Sequence, residues 1–331
     1  MPRPDGRRTH GPRRRRRGAV RPGERAWPQA RAPARHRRRG VCSRSARLKR
    51  DRTRRRPIKK TVTAEAPPGT IADGIRDIRA GLRQRPVWWS LSLQTIRSQY
   101  RRTYLGPWWI TVQQVIFVVG LSLLFGTLLN QDKQTFIPYV TIGFITFSWM
   151  TSMMTGGATS IISNGPSIKT SAGPLSLPAL RNFAMATIQF LHSAVVIVIV
   201  MIVFQVPVGW PIVLAPLGLL VITVNGIALG LWLGPLAARY RDVGPIVVSL
   251  SSVLFFFTPI FWTTDDLSRQ QIAWLAGWNP FAYLLEFFRS PLLDQWPTQA
   301  VCVGTAGITI ANVMIALVHF SRTRERLAYW L

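Results

Sequence analysis

The sequence predicts an all-α integral membrane protein. Six transmembrane helices are joined by an N-terminal interfacial amphipathic helix and by an external re-entrant helical hairpin between spans five and six. Three observations predict this. From residue 107 onward, charge-free apolar stretches recur at about the length that crosses a hydrocarbon core of roughly 30 Å. Lys and Arg collect in alternate loops, as they do on the cytoplasmic side of a membrane. The formal charge of +29 is uneven: residues 1–60 hold 25 Lys and Arg against 3 acids, and the remainder holds 17 against 10.

Residues 1–60 form an Arg/Pro/Gly tract, as in "GPRRRRRGAV" and "RAPARHRRRG", with almost no apolar side chains to build a core, so a disordered tail is expected. Its charge suits nucleic acid or anionic lipid. The competing reading is a leader translated from a start placed too far upstream. No apolar segment with a small-residue cleavage site follows, so it does not resemble a cleavable signal. For the chain as a whole, no nucleic-acid partner is expected.

Residues 70–106 are expected to form cytoplasmic interfacial helices. Thr70 can cap a helix that aligns Ile71, Ile75, Ile78 and Leu82, weakened by Gly74 and Gly81. A second stripe gathers Trp89, Leu93, Ile96, Tyr100 and Tyr104, with Ser90, Gln94, Arg97, Ser98 and Arg101 around the other side. Such a helix lies in the interface with Arg97, Tyr100, Arg101, Arg102 and Tyr104 at headgroup level. Gly106-Pro107 then breaks it, and Pro107 opens the first span where a missing N–H costs nothing.

The remaining body, residues 107–331, contains spans at 107–129, 136–161, 182–204, 211–236, 244–262 and 298–319. Each must be helical, because lipid offers its backbone no hydrogen-bond partner. Arg97, Arg101 and Arg102 precede span one, Lys169 and Arg181 follow span two, Arg239 and Arg241 follow span four, and Arg322, Arg324 and Arg326 follow span six. The alternation places both termini in the cytoplasm. Between spans five and six, Thr264 or Asp265 can cap one short helix ending before Asn279-Pro280. A second runs from Phe281 until Pro291, and the two present Trp274, Trp278, Phe281, Tyr283, Phe287 and Phe288 as an aromatic belt or a substrate-facing surface. Span two carries Thr141, Ser148, Ser152, Thr155 and Thr159 on one face, a pattern that serves helix packing, a subunit seam or a pore.

Absences narrow the mechanism. No Asp, Glu, Lys or Arg lies inside a predicted span, whereas ion-coupled carriers place such groups near the midplane. His192 is the titratable side chain singled out within a span. No G-x-x-x-x-G-K-[ST] motif occurs, so this chain does not cradle ATP phosphates in a P-loop. Cys42 and Cys302 fall on opposite sides of the membrane, which excludes a mutual disulfide. A membrane-embedded sugar or phosphate transferase would have only Asp265 and Asp266 for its chemistry. An ATP-independent small-solute channel would need no coupling loop. No catalytic, cofactor or metal residue is assigned.

Five stretches in order carry a family resemblance: "YRRTYLGPWW", "ARYRDVGPI", "FFFTPIFW", "WNPFAYLLEFFRSPLL" and the terminal "RERLAYWL". Over residues 71–331 the chain resembles the permease subunits of ABC-2 type exporters that move lipid-linked polysaccharides such as O-antigen, teichoic acid and actinobacterial galactan. The region before and into span one looks closest to the galactan branch. The resemblance implies a bacterial plasma-membrane exporter of polyprenyl-diphosphate-linked glycan for the cell envelope. It further implies a homodimer around a glycan-wide channel, driven by two copies of a separate ATPase subunit that binds ATP and Mg. It implies a coupling helix within Ser163–Ser176, with Asn164, Pro166, Ile168 and Lys169 as its residues; the cytoplasmic loop Arg239, Tyr240, Arg241 and Asp242 is the alternative place for that contact. Arg97, Arg101 and Arg102 would meet the carrier pyrophosphate, or else serve only as a topological anchor. Trp109, Phe117, Phe144, Trp149, Phe256 and Trp262, with Asn279, Pro280 and Tyr283 at an external gate, would face the sugar.

Overall fold

In the computed structural model the described residues are 70–128, 131–170, 173–262 and 277–331. The Arg-rich tail, Cys42, Asp265, Asp266 and Trp274 lie outside them. Every regular element among these residues is helical. Among the described residues five helices are long and apolar enough to cross a membrane: α3 (Trp108–Leu128), α4 (Lys133–Ser163), α6 (Leu177–Val203), α7 (Ala215–Arg239, with a preceding 3-10 turn at Trp210–Leu214) and α10 (Gln299–Thr323). The predicted fifth span is realised differently. Its helix, α8 (Val243–Phe257), has 15 residues, about 22 Å at 1.5 Å per residue, and residues 258–262 continue as bends with Ile260, Phe261 and Trp262 buried. Thr258 turns its hydroxyl back onto the Leu254 carbonyl at 2.6 Å, and its extended backbone stops the helix.

The bundle is built around α4, the most buried spanning helix, which packs against α3, α6, α7 and α8. Glycine permits the closest of these contacts. A β-carbon at Gly157 on α4 would stand 2.8 Å from the Gly230 Cα on α7, so the two backbones meet where neither carries a side chain. The hydroxyl stripe of α4 is mostly spent on its own helix. Thr141 donates to the Ile137 carbonyl at 2.7 Å and Thr155 to Thr151 at 2.8 Å. Ser148 and Ser152 instead line a small cavity of about 80 Å³ with Gln114, Trp149 and Gln189.

Polar side chains tie α7 to α10. Asn225 Nδ2 donates to Thr309 Oγ1 at 2.8 Å, Asn312 Nδ2 to Asn225 Oδ1 at 3.0 Å, and Trp232 Nε1 to Asn312 Oδ1 at 3.0 Å. In an apolar surround such a closed network fixes which helix faces meet.

Short helices cover both ends. At the end where α4, α7 and α10 terminate lie α1 (Ile71–Arg83), α2 (Arg85–Gln99), α5 (Gly165–Thr170) and α11 (Leu327–Trp330). The predicted Thr70 cap is present as a capping box: Thr70 Oγ1 accepts from the Asp73 amide while the Asp73 carboxylate accepts from the Thr70 amide. Hydrogen bonding from Thr70 holds the Asp73 carboxyl below the usual carboxylate range. The other end is closed by α9 (Pro280–Leu292), which packs on α4, α7, α10 and the 3-10 turn.

Candidate functional site

Two features stand at opposite ends of the bundle: a cationic collar before α3, and a buried polar cluster beneath α9.

The collar follows from how α2 docks. Its buried stripe is Trp88, Ser92 and Ile96, one step round the helix from the predicted Trp89, Leu93, Ile96, Tyr100 and Tyr104. The small Ser92 sets this register, because its hydroxyl donates to the Arg181 carbonyl of α6 at 3.0 Å. Trp89 is exposed, and Tyr104 is fully exposed. Tyr100 closes the helix, its amide donating to the Ile96 carbonyl at 3.1 Å, and partial burial raises its phenol above the ordinary range. Arg97, Arg101 and Arg102 are exposed, and none forms an ion pair among the described residues. Arg102 and Gly106 turn the chain between α2 and α3 at φ 75° and 55°, in the left-handed region.

Arg181, counted from sequence only as a loop charge, organises this end. Its Nη1 donates to Asn164 Oδ1 at 2.5 Å and its Nη2 to Thr95 Oγ1 at 2.6 Å, joining α6 to the end of α4 and to α2. Asn164 also donates to the Ser160 carbonyl at 2.7 Å and so finishes α4. The predicted coupling segment then forms the six-residue α5. Pro166 and Lys169 are exposed, while Ile168 is half-buried in an apolar cluster with Leu175 and Trp330. Arg239, Tyr240, Arg241 and Asp242 are exposed at the turn from α7 to α8. The Arg239 guanidinium stacks 5.0 Å from the Tyr240 ring and 5.5 Å from the Trp330 ring.

At the far end, Asn279 is buried and spends both ends of its amide. Its Oδ1 accepts from the Phe281 amide at 2.9 Å, capping α9, and its Nδ2 donates to Thr258 Oγ1 at 2.8 Å, tying α9 to the end of α8. Pro280 opens the helix. Tyr283 lies against Gly304 of α10, and its carbonyl accepts from Thr305 Oγ1 at 3.1 Å. The predicted outward display of Phe281, Phe287 and Phe288 is corrected: all three are buried, because α9 turns this face onto the bundle, and among the described residues of that aromatic set only Trp278 is exposed.

Arg289 lies beneath them, 1 % exposed. Its Nη2 pairs with Glu286, its Nη1 donates to the Pro259 carbonyl at 2.6 Å, and its guanidinium lies 3.7 Å from the Tyr139 ring centroid. The Tyr139 hydroxyl donates to the Trp262 carbonyl at 3.0 Å, and Ser290 donates to Glu286 at 2.8 Å. From sequence alone neither Glu286 nor Arg289 stands out as a site residue. Their spacing of three within an otherwise apolar helix was the available signal.

The aromatic candidates separate by depth. Trp149, stacked on Phe190 at 4.3 Å, and Trp262 are buried. Phe144 stacks on Phe117 at 4.4 Å at the contact of α3 with α4, while Trp109, Phe117 and Phe256 are exposed on α3 and α8. His192 Nδ1 donates to the Ile188 carbonyl at 2.8 Å, and the ring stands edge-on to Trp108, as a packing side chain does. His319, on α10, is a second histidine within a span that the sequence reading passed over.

Comparison with known proteins agrees with this architecture. The ABC-2 type transporter family model matches residues 86–293, more than half of the chain. The chain is 24% identical over 262 residues to the O-antigen export system permease protein RfbA of Myxococcus xanthus, a match covering 77% of this chain and 98% of that protein. It is 23% identical over 203 residues to an RfbA permease of Klebsiella pneumoniae, covering 60% of this chain and 77% of that one. A second Klebsiella pneumoniae RfbA permease is 21% identical over 241 residues, covering 70% and 90%. With its helices of membrane-crossing length, the chain belongs to the ABC-2 type transporter family and is a multi-pass transport subunit, not an enzyme.

Proposed function

We propose that this chain is the permease of an ATP-driven exporter that moves a polyprenyl-diphosphate-linked polysaccharide, galactan or O-antigen-like, from the cytoplasmic to the outer face of a bacterial plasma membrane. The observation that carries the reading is the family match together with near-complete coverage of a relative named for O-antigen export. The arrangement of charge supports it. Arg97, Arg101, Arg102, Lys169, Arg239 and Arg322 belong to the end of the bundle that holds both α1 and α11, which the positive-inside rule assigns to the cytoplasm.

In this reading two copies of the chain enclose the channel, and two ATPase subunits bind ATP and Mg. Segment α5 meets the ATPase through its exposed face, Pro166 and Lys169, while Ile168 anchors it. α8 and residues 258–262 form the fifth of the six crossings, α9 is the second helix of the external re-entrant hairpin, and α1 and α2 lie in the cytoplasmic interface. α3 and α8, which expose Trp109, Phe117 and Phe256, present the faces available to a second copy.

The test is co-purification with an ATPase subunit, followed by ATP hydrolysis in reconstituted membranes as lipid-linked glycan is added. Stimulation by the glycan is expected. A chain that moves small solutes without any associated ATPase would overturn the reading.

A further inference from the structure

The ends of α7 and α10 leave an open groove of about 580 Å³, lined by Arg239, Arg322, Arg326, His319 and Trp330 on its polar side and by Met314, Ile315 and Val318 on its apolar side. The neighbouring Arg324 behaves differently. It is spent on docking α1, its Nη1 donating to the Asp73 carbonyl at 2.7 Å and its Nη2 lying 3.9 Å from Asp77. Arg239 and Arg322 form no ion pair among the described residues. Arg239 holds its guanidinium carbon over the Tyr240 and Trp330 rings, 5.0 and 5.5 Å from their centroids, a contact that uses none of its N–H donors. The acids nearest in sequence, Asp242 and Glu325, do not line the groove.

The apolar wall is not an isolated patch. Met314 and Ile315 are exposed and continue into exposed Ile310 and Val303 along a spanning helix most of whose surface faces outward. A cationic rim at the end of a spanning helix, above an apolar wall that runs down to acyl-chain depth, matches a lipid with an anionic head. A docked soluble protein would satisfy the rim and leave the wall, which lies below headgroup level, uncovered.

We propose that this groove binds the phosphodiester headgroup of an anionic membrane phospholipid through Arg239, Arg322 and Arg326, with an acyl chain along Met314, Ile315 and Val318. The site is separate from the collar at Arg97, Arg101 and Arg102. It rests only on α7 and α10 crossing a membrane and not on which glycan is exported.

The test uses the full-length protein in neutral detergent and native mass spectrometry, with dioctanoyl phosphatidylglycerol, dioctanoyl phosphatidylcholine and glycerol 3-phosphate as separate probes. Saturable binding of phosphatidylglycerol is expected, with glycerol 3-phosphate failing to compete at equal concentration. The combined Arg239→Gln, Arg322→Gln and Arg326→Gln variant should bind phosphatidylglycerol roughly a hundredfold more weakly, at about a factor of five per arginine. If that variant does not fold, Arg322→Gln alone, at an exposed position, should still show its roughly fivefold loss. Unchanged affinity in the variants overturns the proposal. Equal binding of phosphatidylcholine would make the groove merely apolar, and competition by glycerol 3-phosphate would make it a site for a soluble phosphate. Either result also overturns it.

Discussion

Arg289 is the one guanidinium among the described residues held 1 % exposed within the bundle, and its two terminal nitrogens and one face are answered by Glu286, the Pro259 carbonyl at 2.6 Å and the Tyr139 ring at 3.7 Å, while its Nε is buried without a hydrogen-bond partner. Such a cluster contributes little net stability when complete, since desolvation of both charges offsets their attraction, but removing one member strands the other. Arg289→Met should therefore cost roughly 3 to 5 kcal/mol, read as a lowered unfolding temperature of the detergent-solubilised protein. The double variant Arg289→Met with Glu286→Gln should recover most of that loss, because no unpaired charge remains. A double variant as unstable as the single one would mean that the pin on the Pro259 carbonyl, and not charge pairing, carries the effect. The sequence announces the charges but not their burial. "FAYLLEFFRSPLL" has the same apolar pattern whether its aromatic face meets lipid headgroups or protein, and only the packing of α9 on α4, α7 and α10 decides between them.

At the scale of elements, the long spans were legible because hydrocarbon forces every spanning segment to satisfy its own backbone, which makes length and hydropathy sufficient. The helix ends were legible where chemistry marks them, as at Thr70 with Asp73 and at Asn279 with Pro280. What failed was register. In α1 the predicted stripe leaves Ile71, Ile75 and Leu82 exposed, and the face that docks contains Gly74, Asp77 and Gly81. A helix beside a membrane has two apolar surrounds, lipid and protein. The large residues stay exposed here, and the glycines let the backbone approach α10 and α6. This makes a prediction against propensity. In a free helix Gly→Ala gains about 1 kcal/mol, yet a β-carbon at Gly74 would stand 3.3 Å from the Ser321 Cα and closer still to its side chain. Gly74→Leu should thus release α1 from α10 while leaving the spans folded. Trypsin should then cut after Arg76 and Arg79 at least tenfold faster than in the parent protein, at unchanged unfolding temperature. Equal cleavage rates would show that α1 is held by its ion pair to Arg324 and not by backbone approach.

For the whole molecule, the export reading requires that a diphosphate-bearing lipid be received at one end of the bundle and its glycan released at the other. The collar is built for the first task in one respect: Arg97, Arg101 and Arg102 are exposed and without carboxylate partners among the described residues, so their donors face outward. Exposure alone also suits an anchor, and the two roles separate on geometry. Lysine keeps the charge that orients a membrane protein but loses the planar fork that grips two phosphate oxygens at once. Replacing all three arginines with lysine should therefore leave insertion, abundance and assembly with the ATPase unchanged. Losing about one charge-assisted hydrogen bond, roughly 1.5 to 3 kcal/mol, should raise the glycan concentration for half-maximal ATPase stimulation by at least tenfold. Tyr100→Leu should be milder, because the bond that closes α2 is made by the Tyr100 backbone amide, which leucine retains. The lipid groove at Arg239, Arg322 and Arg326 supplies the internal control. The same lysine exchange there leaves a point-charge contact to a single phosphodiester largely intact, so the half-saturation concentration for glycan should not move. A collar variant whose half-saturation matches the parent would return Arg97, Arg101 and Arg102 to the role of topological anchor and shift recognition of the carrier to another surface of the permease.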